Sequence, residues 1–324
     1  MMITQSWDIT VGLHDFYVEN ANTFFINTKL DTEIVRSYEY TNLFRKLFAS
    51  SYFVSDVAVI DKNEIVAMGI LYPVEYLSNY FGVKVGVLDG LVVKKDVDKE
   101  SDYVYNLLHS LMLGMEDERY DFLSCNVPSD SLELIKALEA YGFYYAEGFN
   151  NMCGRLPSQR KIILGDTIIR EAYEEDFTEI EKSYLNSDFP SHLVTDPFFD
   201  EKKAKRLYVQ NFRNTWENNL GKVWVATIDM KVVGALIGKI DERVKEETGI
   251  VTNARSGMGI IVDPKYREQA VAQELLNRRE SWYEDQGVEW QILGANISNV
   301  PMIRLLEKKG FRHASTTITM HKRF

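Results

Sequence analysis

The feature that most constrains this chain is that it repeats itself. Shifted by 168 residues, Leu91-Val92-Val93 falls on Gly259-Ile260-Ile261 and Leu107-Leu108 on Leu275-Leu276. In the same register Leu138-Glu139-Ala140-Tyr141-Gly142-Phe143 falls on Leu306-Glu307-Lys308-Lys309-Gly310-Phe311. No gap is needed from Leu91 to Phe143, as expected of a duplicated supersecondary unit rather than of shared apolar composition. A length of 324 residues, 45% of them hydrophobic, accommodates two cores of ordinary size. The expected organisation is one copy over residues 1–156, a linker over 157–164 and a second copy over 165–324. Leu156 to Lys161, polar and proline-bearing, has a linker's composition.

Within the second copy, the β-branched run Gly257 to Val262, closed by Asp263-Pro264, predicts a buried strand ending in a turn. Ala270 to Gln286 carries a helical stripe, Leu275, Leu276, Arg279 and Tyr283, with Gly287 as its stop. A strand over Val288 to Leu293 follows. A helix over Pro301 to Lys309 comes next, with Gly310 at its left-handed cap, and a last strand around Thr316 to His321. Upstream, Val223 to Ile228 and Lys231 to Ile237 flank Asp229-Met230 as a hairpin, matched in the first copy by Val57 to Ile60 and Ile65 to Leu71.

Lys and Arg total 37 against 48 Asp and Glu, and a net charge of −11 repels nucleic acid and anionic membrane where no basic patch reverses it. No basic patch and no aromatic-basic stripe stands out. Without an apolar run of about 18 residues or signal-like features at the start, the expected location is cytoplasmic. Cys125 and Cys153 lie near no metal-ligand spacing, so no metal is expected and both read as buried free thiols.

The segment that can carry chemistry is strand, turn, Tyr266-Arg267-Glu268-Gln269-Ala270-Val271-Ala272, then helix. At a helix N-terminus reached this way, successive backbone N–H groups point outward and bind pyrophosphate. The stretch resembles the GNAT acyltransferase superfamily, whose pattern here is an apolar strand, a proline turn, Tyr-Arg, Arg/Gln-x-x-Gly-x-Gly/Ala and Leu-Leu. Ala295 to Phe311 is similar to the family's Asn-x-x-Ala-x-x-Leu-Tyr-Glu-Lys-x-Gly-Phe. Asp196-Pro197-Phe198-Phe199 with Tyr208, and Thr319-Met320-His321-Lys322, resemble one branch, the nucleotide-sugar N-acyltransferases of the TDP-fucosamine type.

The resemblance implies an α/β (α+β) fold of two tandem GNAT domains, each a mixed, mostly antiparallel sheet flanked by helices. It further implies acetyl-CoA or another acyl-CoA as cosubstrate and a small-molecule amine as acceptor, and it admits a homodimer. Pantetheine would lie along the backbone of Ile260, Ile261 and Val262. The pyrophosphate would sit on the N–H groups of Gln269, Ala270, Val271 and Ala272, with Arg267 and Asn299 beside CoA.

Three departures stand out. The first loop glycine of the family is Ala270, Glu268 adds a negative charge, and the tyrosine that protonates the leaving thiolate in many members is Leu306. The replacement donor is sought among Ser298, Tyr283, His321 and water. Histidine is the side-chain type suited to proton transfer near neutral pH, so His192 and His321 are also candidate bases, although a surface or hydrogen-bonded role is the plainer reading of each. Asp196 reads as the cap of the helix after Pro197, ahead of a role in orienting substrate, and Asn299 as both a cap for the helix at Pro301 and a CoA neighbour. Phe198, Phe199, Tyr208, Phe212 and Trp216 read as core. The first copy has Lys99-Glu100-Ser101-Asp102 where phosphate would sit, which fits a structural or substrate-shaping role better than a second active site. The alternative for the whole chain is a catalytically silent pair that binds acyl-CoA or serves as an interaction module.

Overall fold

The structure, a computed structural model, describes residues 2–4, 10–21, 28, 30–49, 55–94, 100–113, 119–157, 166–254, 259–267 and 269–324. The expected linker from residue 158 onward, Gly257, Met258, Lys99 and Glu268 lie outside them. The chain forms two compact units, one of Met1–Asn150 with Ser315–Phe324 and one of Asn151–Ala314.

The first unit runs β1 (Met2–Thr4), α1 (Thr10–Asn20), α2 (Glu33–Ala49), β2 (Ser55–Asp61), β3 (Glu64–Pro73), α3 (Glu75–Phe81), β4 (Val85–Val93), α4 (Glu100–Leu113), β5 (Phe122–Pro128), α5 (Leu132–Ala140) and β6 (Tyr144–Arg155). Its sheet has the order β1-β2-β3-β4-β5-β12-β6, where β12 (Arg312–Arg323) is the last strand of the sequence. From Thr317 to Arg323, β12 pairs antiparallel with β5, Thr317 opposite Pro128 and Arg323 opposite Phe122. The period of two along a strand sorts the side chains onto two faces. Val57 and Val59 pack with Val104, Leu107, Leu108 and Leu111 of α4. Ala58, Met68 and Ile70 pack with Leu13, Phe16 and Tyr17 of α1. Helices therefore cover both faces, and strands β2 and β3 read as continuous apolar runs.

The second unit repeats this plan with β7 (Ile168–Glu171), α6 (Phe177–Leu185), α7 (His192–Thr195), α8 (Glu201–Glu217), β8 (Lys222–Ile228), β9 (Lys231–Gly238), α9 (Glu242–Thr248), β10 (Ile260–Val262), α10 (Val271–Asp285), β11 (Trp290–Asn296) and α11 (Val300–Lys308). Four strands form the sheet β10-β9-β8-β7, all neighbours antiparallel. Strand β11 instead neighbours β6, whose residues 151–155 belong to this unit. Val223, Val225, Ala235 and Ile237 face α6 and α8 through Phe177, Ile180 and Phe212. Trp224, Ala226, Val233 and Leu236 face α10 and α11 through Val271, Leu275, Leu276 and Leu306.

Local chemistry sets the ends of these elements. Asp229 and Met230 have φ of 48° and 63°, and Lys62 and Asn63 have 50° and 66°. These left-handed pairs are the turns whose twist matches two-residue hairpins. Asp200 caps α8 by accepting from the Lys203 N–H at 2.7 Å. Asp196, expected to cap this helix, lies four residues too early. Its Oδ1 accepts from the Phe198 N–H at 2.9 Å and closes a turn between α7 and α8. Pro197 therefore belongs to that turn and not to the helix start. The cysteines also divide. Cys125 is buried in the core, whereas Cys153, on β6, is only half-buried. Burial raises both thiols above their ordinary value, Cys153 to about 11.

Candidate functional site

In the second unit, the segment before β10 and the strand β11 are joined, among the described residues, at Thr252 and Asn253. The buried side-chain amide of Asn253 donates to the Ile292 carbonyl and accepts from the Ile292 N–H, both at 2.8 Å. Thr252 Oγ1 adds a bond to the Trp290 carbonyl at 3.3 Å. An asparagine side chain here replaces a strand partner, satisfying donor and acceptor of one residue at once. Further along, Ile260, Ile261 and Val262 pair with Leu236, Ala235 and Gly234 of β9, and no ladder joins them to β11 among the described residues. Each strand is the end strand of its sheet, so among the described residues the outer backbone edge of β10 has no strand partner.

The chain leaves this edge through a tight turn. Asp263 Oδ1 accepts from the Lys265 N–H at 2.9 Å, and Pro264 opens a single 3₁₀ turn over Pro264–Tyr266. Ala270 then adopts φ 58°, ψ 10° as the N-cap of α10 and supplies no side-chain cap. The first N–H groups of a helix have no intrahelical acceptor. Here they lie at the positive end of a 15-residue helix and receive no cap from the Ala270 side chain. Ala270 thus keeps the left-handed geometry of the glycine it replaces, a conformation that costs a residue with a Cβ roughly 1–2 kcal/mol. Gly234 makes room behind the turn, since a Cβ there would lie 3.0 Å from both the Ile261 carbonyl oxygen and Val271 Cγ1.

The other expected residues separate into those at this end of the cleft and those away from it. Ile260 and Val262 are half-buried, Ile261 and Val271 buried, Ala272 half-buried and Gln269 exposed. Asn299 caps α11, accepting from the Met302 N–H at 3.3 Å. Ser298 lies exposed in the turn after β11, its hydroxyl donating to Asn296 Oδ1 at 2.6 Å. Arg267 is turned toward the helical side of the unit, where its Nη2 donates to Ser187 Oγ at 2.7 Å. Ser187 follows α6 and is almost completely buried. Past it, the Ser191 and Tyr208 hydroxyls share a hydrogen bond, and Tyr184 stacks on Tyr208 at 6.2 Å between ring centroids. Phe199 and Phe212 are buried and Tyr208 and Trp216 pack against the same core, in keeping with their core reading.

Tyr283 and His321 lie elsewhere. Tyr283 is twelve residues along α10 from Val271, about 18 Å at 1.5 Å per residue. It is buried with Leu156 and Val288, its hydroxyl accepts from the Lys239 N–H at 3.3 Å, and burial raises its pKa. His321 is fully buried in the first unit, its ring against Phe122 at 4.7 Å and Tyr144 at 6.0 Å. Both are packing residues in this geometry. Leu306 is fully buried in the cluster of Val271, Leu275 and Phe311. Two groups had no sequence signal. Asn253 looks like any loop asparagine until its partner strand is known. Lys239 lies at the closed end of the cleft, where burial lowers its pKa and its Nζ donates to Asn211 Oδ1 at 3.3 Å.

Among the described residues no helix is long and apolar enough to cross a membrane, and no group of three or more His, Cys, Asp or Glu is placed to hold a metal ion.

Residues 170–311 match the model of the acetyltransferase (GNAT) family. No curated protein matches the chain in sequence. Among solved structures, the chain is similar to a GCN5-related N-acetyltransferase from Sphaerobacter thermophilus, with TM-score 0.56 and 14% identity over 87% of this chain and 85% of the other. It is also similar to a tandem GNAT protein from the clavulanic acid biosynthesis pathway, with TM-score 0.50 and 13% identity over 84% and 83%. A functionally unknown conserved protein from Staphylococcus epidermidis aligns with TM-score 0.51 and 12% identity over 82% and 93%. At these identities the likeness is one of fold. The fold class is the tandem GNAT one, with mixed, mostly antiparallel sheets flanked by helices.

Proposed function

We propose that the chain is an N-acyltransferase whose second unit takes acetyl-CoA, or another acyl-CoA, and transfers the acyl group to a primary amine of a small molecule. The observation that carries this reading is the one-ended cleft. Asn253 pins one end on Ile292, β10 ladders only with β9 among the described residues, and the helix that follows starts at Ala270, whose geometry is left-handed and which supplies no side-chain cap. A thioester ligand would bring an activated acyl carbon to this cleft. Ile260 to Val262 would pair with its amide-bearing arm, and the N–H groups from Gln269 to Ala272 would hold its phosphates, whose charge the helix dipole favours. A strand N–H would steady the developing negative charge on the carbonyl oxygen.

The acceptor has to attack as a neutral amine, so its own proton must leave first. Leu306 has no proton to give the departing thiolate, which leaves ordered water or Ser298 for that task. Arg267, bonded to Ser187, would join the phosphate turn to the α6–α8 side, where the acceptor enters. An amino sugar carried on a nucleotide is the acceptor we favour, on the likeness of Asp196 to Phe199, Tyr208 and Thr319 to Lys322 to that branch of the family.

Two measurements test the reading. Calorimetry should give one equivalent of acetyl-CoA per chain. Thiol release, followed with a chromogenic disulfide over nucleotide-linked amino sugars, polyamines and peptide N-termini, should rise with pH as the ammonium deprotonates. A rate no faster than buffer hydrolysis across that set rejects the enzyme and leaves a silent acyl-CoA-binding pair.

A further inference from the structure

The first unit holds a cleft of its own, built by the corresponding strands but with opposite electrostatics. Strands β4 and β5 are parallel and paired only from Val85–Phe122 to Leu88–Cys125. At the next residues the β3–β4 register shifts and Gly90 takes φ 58°. A Cβ at Gly90 would lie 2.4 Å from Leu43 Cδ2, so the bend is built for glycine twice over, by its backbone and by its neighbour. Beyond the bend the strands part around a cavity of about 110 Å³ that α1, α4 and α5 also line. At roughly 10–15 Å³ for each water-sized group, it admits a ligand of about seven to eleven non-hydrogen atoms.

Among the described residues its charged lining is two carboxylates, Asp89 and Glu100, with no Lys, Arg or His, and Asp89 already accepts from the Tyr72 hydroxyl at 3.1 Å and from the Gly90 N–H at 2.9 Å. Asn20, Asn126 and Ser131 add neutral polar groups, while Leu91 and Val104 supply apolar wall. The nearby cation Lys94 is committed to Glu64 at 2.8 Å. Glu100 and Asp102 lie in the first turn of α4, so the chain's own negative charge stands at the helix end that an anion would need. Phosphate is therefore disfavoured here. The described residues place no third His, Cys, Asp or Glu for a metal ion. What the cavity complements is a small organic cation with an apolar stem.

We propose that this cleft is a binding site for a small protonated amine, held by Asp89 and Glu100 at its charged end or ends and by Leu91 and Val104 along its stem. The duplication has then yielded two clefts of one architecture for ligands of opposite charge.

Binding is measured by calorimetry on the full chain with 1,4-diaminobutane, using 1,4-butanediol and succinate as size-matched neutral and anionic controls. Saturable binding of the diamine with neither control binding is expected. Glu100→Gln and Asp89→Asn should each weaken it about tenfold, the loss of one charge-assisted contact. Absence of saturable diamine binding in the wild type overturns the proposal whatever the variants do. Binding unchanged in the Glu100→Gln, Asp89→Asn double variant overturns it too, by moving the site elsewhere. Equal binding of the diol would show that charge is not what the cleft reads, and would also overturn it.

Discussion

At the closed ends of their clefts the two copies are joined by different means. In the first, backbone pairs with backbone over four residue pairs of β4 and β5. In the second, the pairing is done by the side chain of Asn253, which stands 168 residues after Val85. A ladder ties strands along a length, whereas a single amide pins them at a point and leaves the strand beyond it unpaired. The same contrast holds at the helices. Where the second copy buries an ion pair between α10 and the end of α11, Glu280 with Lys309 at 2.8 Å, the first has Met112 and Tyr141 in the same register. Duplicated folds thus keep the path of the chain while replacing the chemistry that holds it.

The ion pair gives the largest expected effect. Both side chains are nearly inaccessible, 0% for Glu280 and 2% for Lys309, so Lys309→Ala removes the cation paired with a buried carboxylate. Urea unfolding should show a loss of about 3–5 kcal/mol. Exchanging both partners for those of the first copy, Glu280→Met with Lys309→Tyr, should recover most of that loss. A double variant no better than the single one would mean that the two copies are not interchangeable here.

Asn253→Ala should come next, because it removes two hydrogen bonds and leaves the N–H and carbonyl of Ile292 without that partner. About 2–4 kcal/mol is expected from unfolding curves. Weakened acetyl-CoA binding should accompany it if the pin sets the cleft.

Leu138 and Leu306 correspond in the repeat and are both fully inaccessible. Tyrosine at either position overpacks its core, and a loss of about 1–3 kcal/mol is expected for each variant. Only Leu306→Tyr should alter thiol release, because only the second unit is proposed to turn over. An altered rate in Leu138→Tyr at equal stability would break the asymmetry.

The smallest effects belong to Ala270. A carboxylate there imitates the acidic loop of the first copy, and Asp tolerates the left-handed region. Ala270→Asp should therefore weaken acetyl-CoA about tenfold through charge, with Ala270→Asn as the uncharged control. Ala270→Gly should relieve the strained φ of 58°, stabilising by about 1 kcal/mol with affinity kept or improved. Normal binding by the Asp variant would move the phosphate site away from α10.

Much of this was legible in the residues. The hairpin turns, the strand before Asp263-Pro264, the α10 stripe and the cap at Asn299 follow from local rules that need only neighbours in sequence. The candidate phosphate turn was legible for the same reason, since a strand, a turn and a helix start are contiguous. Ala270, which looked like a damaged glycine, keeps the backbone conformation glycine would have had.

What the sequence by itself determined is the repeat, the periodicities and the order of elements. Only the tertiary structure decided which distant segments complete each other. The strand expected around Thr316 to His321 runs longer, and its residues from Ser315 on pack in the first unit. His321 lies there for that reason, buried against Phe122 and Tyr144. Tyr283 was set aside by depth, Arg267 was turned to Ser187, and Asn253 acquired a partner 39 residues away. A strand carries its two faces in its own alternation, but its edge is completed by whichever backbone lies beside it, and pairing of that kind leaves no periodic trace in sequence.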